Sequence, residues 1–351
     1  ATGSLTIENL LAVEHQSAAE YGMDTIAQVL QADLQAWNSI VGDLVGDLCE
    51  MTTDRQRIYG ASQTSGEMDE VDELGRAPTV QPTPGAEVGF PLRMFQHNLG
   101  WTNLWFKTHT PADMARAVMG AQKAHNKRIH REIRRAVFRA TNYTFNDHLV
   151  DKINLSVKAF VNADGGVIPE GPNGEVFDGA THNHYLARNG WDAPFLGAAI
   201  DDVVEHGHGS HIKVCINRAN ESTVRGFNGA FTAYPDPRLI MNTVTDTTAQ
   251  RLDISRLDNR AIGILGAGEV WVKSWVPAGY VFIYDAAAPE KPLAYRQRNQ
   301  SSLQGLRFAS DLDAYPLHAR VMEAEFGVGV WNRTNGAVVY FGNAIWSDPT
   351  L

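Results

Sequence analysis

Cysteine is almost missing from this chain: Cys49 and Cys215 are the only 2 thiols in 351 residues. Two are too few for a disulfide framework or a four-thiolate zinc site, and they form no CxxC pair, so both are expected reduced and buried. Long apolar runs are missing too. No stretch of roughly 18 apolar residues occurs, and the N-terminus lacks the basic-then-apolar order of a secretory signal. The expectation is a soluble protein made in a cytoplasm, without membrane contact. The Asn-X-Ser/Thr triplets at Asn142, Asn299 and Asn332 then carry no meaning.

Catalytic signatures are equally scarce. There is no Gly-X-Ser-X-Gly elbow, and carboxylate pairs such as Asp201–Asp202 are adjacent rather than convergent. Gly263, Gly266 and Gly268 superficially suggest a phosphate loop, yet no Lys-Ser/Thr follows and the tract runs on into a strand, so it reads as a turn between strands. The chain is expected to be no enzyme, with no catalytic residue and no cofactor.

A basic balance is lacking overall: the net charge of −10 excludes a dedicated nucleic-acid binder that neutralises phosphates. Locally the absence is sharper. Residues 1–50 hold eight Asp or Glu and not one Lys or Arg, about −8 in all. Residues 110–141 reverse the sign, with Arg116, Lys123, Lys127, Arg128, Arg131, Arg134, Arg135 and Arg139 against Asp113 and Glu132.

What is present is a mixed α+β pattern; 31 glycines and 15 prolines predict many loops and short strands. Ile26, Val29, Leu30, Leu34, Trp37, Ile40, Val41, Leu44, Val45 and Leu48 recur at helical spacing, an amphipathic helix that packs on its own domain or serves as an arm on a neighbour. Arg55 to Gly60 reads as a strand leading to an acidic tip at Glu67, Asp69, Glu70, Asp72 and Glu73. Prolines 78, 82, 84 and 91 follow, then an aromatic return limb from Val88 to Phe106, together a long two-stranded excursion. An isolated hairpin of that length needs a partner surface. Thr110, Pro111 and Asp113 open a helix running to about Thr141 whose apolar stripe is narrow. Its cationic face is expected either to be solvated or to meet the acidic N-terminal block of an adjacent copy. Candidate subunit contacts are therefore Glu67, Asp69, Glu70 and Asp72; Arg116, Lys123, Lys127, Arg128, Arg131 and Arg135; and Trp37 and Leu44.

Between Asn142 and Tyr185 a short helical stretch and glycine turns are expected. After them come a helix from Trp191 to Glu205, a strand from His211 to Asn217, a short helix near Glu221 and strands from Ala261 to Tyr284. Val321–Trp331 and Gly336–Phe341 read as a closing hairpin. His182, His184, His206, His208 and His211 have spacings that suit a metal such as zinc. The glycines at 207 and 209 favour a solvated loop instead, with Asp201, Asp202 and Glu205 as helix-surface charges.

This order of elements resembles the capsid fold shared by tailed-bacteriophage major capsid proteins and encapsulins, the Hong Kong 97 type. The local likeness is strongest in Ile262–Leu265 through Val270–Val272 and Val276-Pro277-Ala278-Gly279-Tyr280, where Glu269 replaces a common proline, and in Glu325–Arg333 with Ala337–Val339. The resemblance implies an N-terminal arm (residues 1–53), an extended hairpin loop (54–107), a peripheral domain with a long spine helix (108–185 and 307–351) and an axial domain (186–306). It further implies a shell subunit that assembles with copies of itself into hexamers and pentamers around double-stranded DNA, held by non-specific contact. Scaffolding, portal and decoration proteins would be further partners, and the location a virion assembled in a host bacterial cytoplasm. Two rivals are an encapsulin shell, disfavoured by the chain's length and long N-terminal block, and a soluble metalloenzyme using the histidines.

Overall fold

The computed structural model describes residues 6–60, 68–77, 79, 85–234 and 259–350, without the side chains of residues 43 and 44. Glu67 and the Leu44 side chain, both expected at subunit contacts, lie outside the described residues. In chain order the first half contains α1 (Ile7–Leu11), α2 (Ala18–Tyr21), α3 (Met23–Val45), β1 (Cys49–Thr52), β2 (Gln56–Tyr59), β3 (Ala86–Gly89), β4 (Arg93–Thr102), α4 (Asn103–Thr108), α5 (Pro111–Val137), β5 (Tyr143–Asn146), β6 (Asn154–Val157) and β7 (Tyr185–Ala187). Then follow α6 (Ala193–Val204), β8 (Ile212–Ile216), α7 (Glu221–Arg225), β9 (Phe231–Ala233), β10 (Asn259–Leu265), β11 (Gly268–Lys273), β12 (Tyr280–Asp285), β13 (Leu293–Gln297), β14 (Leu306–Ala314), β15 (Leu317–Val330) and β16 (Ala337–Tyr340). Among the described residues no helix is long and apolar enough to cross a membrane.

Two sheets organise these elements. The larger has the order β7-β16-β12-β8-β11-β10-β9. The inner strand β12 is buried on both faces: Val281 and Ile283 pack with Leu196, Ile200 and Val203 of α6, while Phe282 and Tyr284 point into the main core. That alternation is the period-2 geometry of a strand carrying apolar residues on both sides. Gly266 and Ala267 make the two-residue turn between β10 and β11, Gly266 at φ +58°, so the glycine run is a turn as expected.

The second sheet, β1-β13-β15-β14, gains β4 on the free side of β15. β15 pairs with β4 through ten residues and with β14 through eight, making a three-stranded antiparallel ribbon. Met322, Ala324, Phe326, Val328 and Val330 of β15 face the core shared with α3 and α5. On the opposite face Glu325 bonds Arg298 and Arg307, the latter at 2.9 Å, and Glu323 also bonds Arg307.

Strand pairing corrects four expectations. Among the described residues the 54–107 excursion is two-stranded only at its base, where β2 meets β3 over four residues; its return limb becomes β4, which pairs with β15, and then helix α4. β15 and β16 form no hairpin, because they lie in different sheets; the Asn332–Asn335 connection is buried, with Asn335 Oδ1 accepting from the Asp285 amide at 2.8 Å. The split at residue 306 is crossed twice, since β13 belongs with β15 and β16 with β12. The helix expected between residues 142 and 185 is instead the β5–β6 hairpin. In each case the partner strand is distant in sequence or the local signal was only a turn.

Candidate assembly surfaces and a histidine centre

The N-terminal segment packs on its own chain. Ile26, Val29, Leu30, Leu34, Val41 and Val45 of α3 are buried in the main core, each contributing about 1.5–3 kcal/mol of apolar burial. Trp37 donates from Nε1 to His125 Nδ1 of α5 at 3.1 Å. Asp47 accepts from Lys213 Nζ at 2.8 Å, and Glu14 meets Arg116 at 3.3 Å. This helix therefore packs on its own domain, one of its two expected roles, and Glu14 of the acidic block reaches Arg116 of α5.

Helix α5 begins at a capping box in which the Thr110 amide donates to Asp113 Oδ2 at 3.1 Å, with Pro111 at its first position. Its basic residues divide into two sets. Arg116, Lys123, Lys127 and Arg131 are exposed along one face at steps of seven, four and four residues, a cationic stripe. Arg128 and Arg135 point elsewhere: they bind the buried Glu132 at 2.8 and 3.0 Å, and Arg93 of β4 approaches it at 3.6 Å. Both were expected at subunit contacts; within the fold they are the partners of a carboxylate only 1 % exposed, while their own side chains stay 27 % and 22 % exposed. Arg93 was missed in the sequence, where nothing ties it to Glu132, whereas the i, i+3 and i, i+4 spacings of Arg135 and Arg128 were legible.

The excursion beyond β2 and β3 carries exposed apolar residues among its acids. Met68 and Leu74 are 100 % and 96 % exposed, Val71 is exposed as well, and Asp69, Glu70 and Asp72 lie between Met68 and Leu74; Ile58 within β2 is also exposed. The far end of the ribbon likewise exposes Leu312, Tyr315 and Leu317, with Leu104 of α4 also uncovered.

The histidines do not form a solvated loop. His182 and His184 precede β7, and Glu205 and His206 follow α6. The Nε2 atoms of His182, His184 and His206 form a triangle with edges of 3.0, 3.0 and 3.1 Å, and Glu205 Oε1 lies 3.2 Å from His182 Nε2 and 3.9 Å from His206 Nε2. His184 is fully buried and the His206 side chain is 2 % exposed. Burial, with the neighbouring imidazoles, pushes His206 down to about 2, and burial holds His184 at about 3 although the Gly336 carbonyl opposes it. The Phe177 ring covers the group, its centroid 4.1 Å from that of His206. His208 and His211 stand apart, the first 3.0 Å from Thr334 Oγ1 and the second 3.0 Å from Glu269. Glu205, expected as a surface charge, belongs to the cluster; its adjacency to His206 was the available signal.

No protein-family model matches the chain, and no curated protein matches it in sequence. Among solved structures, a chain of Mycobacterium phage Patience is similar over 99 % of this chain and 96 % of its own, with a TM-score of 0.66 at 20 % identity. The capsid of a native GTA particle gives a TM-score of 0.48 at 12 % identity, covering 85 % and 89 % of the two chains. The cyanophage A-1(L) capsid gives 0.48 at 14 % identity, covering 87 % and 93 %. The likeness to the Patience chain is one of fold: this is the α+β architecture of the Hong Kong 97 type, as the order of elements led one to expect.

Proposed function

We propose that the chain is the major capsid protein of a tailed bacteriophage, a non-enzymatic subunit that assembles into hexamers and pentamers of an icosahedral shell around double-stranded DNA. A shared fold hosts many functions, so the reading rests on one observation: the chain projects the tip beyond β2–β3 with Met68, Val71 and Leu74 exposed, as it does Leu312, Tyr315 and Leu317 on the ribbon. Exposed apolar surface on extended elements marks interaction sites. Head-to-tail contacts between such elements and a different surface of the next copy close into rings when the rotation permits. The solved chain of the same fold comes from a phage, which supports a virion location and assembly in a host cytoplasm.

The charges supply a register for this contact. Asp69, Glu70 and Asp72 at the tip complement Arg116, Lys123, Lys127 and Arg131 on α5 of a neighbouring copy, setting specificity more than affinity. The acidic whole, at −10, keeps the inner wall from gripping DNA tightly, so contact with the genome is non-specific. Scaffolding, portal and decoration proteins are the further partners of such a subunit.

Negative-stain electron microscopy with size-exclusion chromatography of the chain expressed alone tests the reading. Shells, or rings of five and six, are expected. The Lys123→Glu/Lys127→Glu double variant should stay folded and fail to assemble, and adding Asp69→Lys and Asp72→Lys should restore particles. A small oligomer in every buffer and salt concentration would refute the proposal.

A further inference from the structure

We propose that His182, His184, His206 and Glu205 form a structural site for one divalent transition-metal ion, zinc by its coordination chemistry, which fastens the loop ahead of β7 to the end of α6. The four ligand atoms lie within 4.8 Å of one another. Hydrogen bonding alone does not account for them. The Gly336 carbonyl, 2.8 Å from His184 Nδ1, can only accept, so the proton of the neutral ring sits on Nδ1 and Nε2 presents a lone pair. That lone pair suits one donor, yet His182 Nε2 and His206 Nε2 both approach it within 3.1 Å while standing 3.0 Å from each other. At least one of the three edges therefore sets lone pair against lone pair or N–H against N–H. His206 Nδ1, buried, has no partner among the described residues. A cation bound to all three lone pairs removes the conflict.

The dimensions agree. With metal–nitrogen bonds of about 2.0–2.1 Å, tetrahedral ligands stand about 3.3–3.4 Å apart, so the imidazole edges need only open by a few tenths of an ångström. Glu205 Oε1, at 3.2 Å from His182 Nε2 and 3.9 Å from His206 Nε2, suits the fourth vertex. The Gly336 carbonyl supplies the outer-shell bond that orients a metal-binding histidine. Three imidazoles and one carboxylate suit zinc, whereas calcium and magnesium prefer all-oxygen sets. Four protein ligands leave no open position, the mark of a structural site and an argument against the metalloenzyme reading.

The site also sits where the fold needs a fastener. Residues 158–184 contain no helix or named strand, only the isolated bridge between Asn162 and Asn183. A loop of that length inside a packed unit requires a hold of its own. Arg333 provides one at the loop's start, donating to the Ala159 carbonyl at 2.8 Å, and the metal provides another at its end.

The test titrates zinc, or cobalt as a spectroscopic substitute, into the full chain after treatment with a chelator. Unassembled subunits serve, so failure of the capsid reading leaves this result unaffected. One ion per chain, visible bands of tetrahedral cobalt and a melting temperature raised by zinc are expected. His182→Gln, at the partly exposed corner, should lower zinc affinity at least about tenfold, and Glu205→Gln should weaken it in a folded chain. His211→Gln should bind as the unaltered chain does. Absence of stoichiometric binding, an octahedral cobalt spectrum, or unchanged affinity in both His182→Gln and Glu205→Gln would overturn the proposal.

Discussion

Replacing Glu132 by Gln keeps the shape of the side chain and removes its charge. The carboxylate accepts from Arg128 at 2.8 Å and from Arg135 at 3.0 and 3.1 Å, with Arg93 at 3.6 Å. Loss of one partner from a buried ion pair costs about 3–5 kcal/mol, because the remaining charge is left uncompensated. Here the three guanidinium groups are 22–27 % exposed, so water screens part of the loss. Contacts of Arg128 with the Phe95 ring at 4.1 Å and of Arg93 with the Phe145 ring at 4.8 Å persist in the variant. The expected loss is therefore at the lower end, about 3 kcal/mol. Urea denaturation of unassembled subunits, followed by tryptophan fluorescence, reads it as a lower midpoint at unchanged slope. Arg131→Gln, one residue away on the exposed stripe, should change stability by no more than about 0.5 kcal/mol. If Glu132→Gln fell within that same margin, the account of Arg128 and Arg135 as internal cations would be wrong, and both would return to the list of surface contacts.

Acid should loosen α3 from α5 through His125, whose pKa burial lowers to about 4. Unfolded chains take up the proton first as pH falls below about 6.5, so the penalty is absent above that pH and grows to about 3 kcal/mol near pH 4; the gap between melting curves at pH 7 and pH 4.5 should narrow in His125→Gln, and an unaltered pH dependence there would count against this origin. Gly120 lies on the exposed face of α5 with open space where a Cβ would stand, so Gly120→Ala should stabilise the subunit by up to about 1 kcal/mol, read by denaturant midpoint. A Cβ at Gly327 would lie 2.0 Å from the Pro91 carbonyl oxygen, a backbone atom that cannot swing aside, so Gly327→Ala should reduce the yield of folded protein sharply. Soluble Gly327→Ala of ordinary stability would show that β15 and the Pro91 segment can separate.

Much of this protein follows from short-range rules in its sequence. The Thr110–Asp113 capping box and Pro111 started α5 where the spacing said, α3 emerged from its apolar periodicity, and Gly266 turned β10 into β11. The order of these elements was enough to point to the capsid fold. Tertiary structure decided what those rules do not reach. β4 reads as the return limb of a hairpin until it finds β15, more than two hundred residues further on, and β15 and β16 read as a hairpin until the buried Asn332–Asn335 crossing sends them into different sheets. It also separated the basic residues of α5 into an exposed stripe and a set bound to Glu132, and it drew Glu205 and three of five histidines together. Caps, turns and periodicity depend on residues a few positions apart, whereas strand partners, buried ion pairs and ligand clusters join residues remote in the chain, and only packing chooses among them.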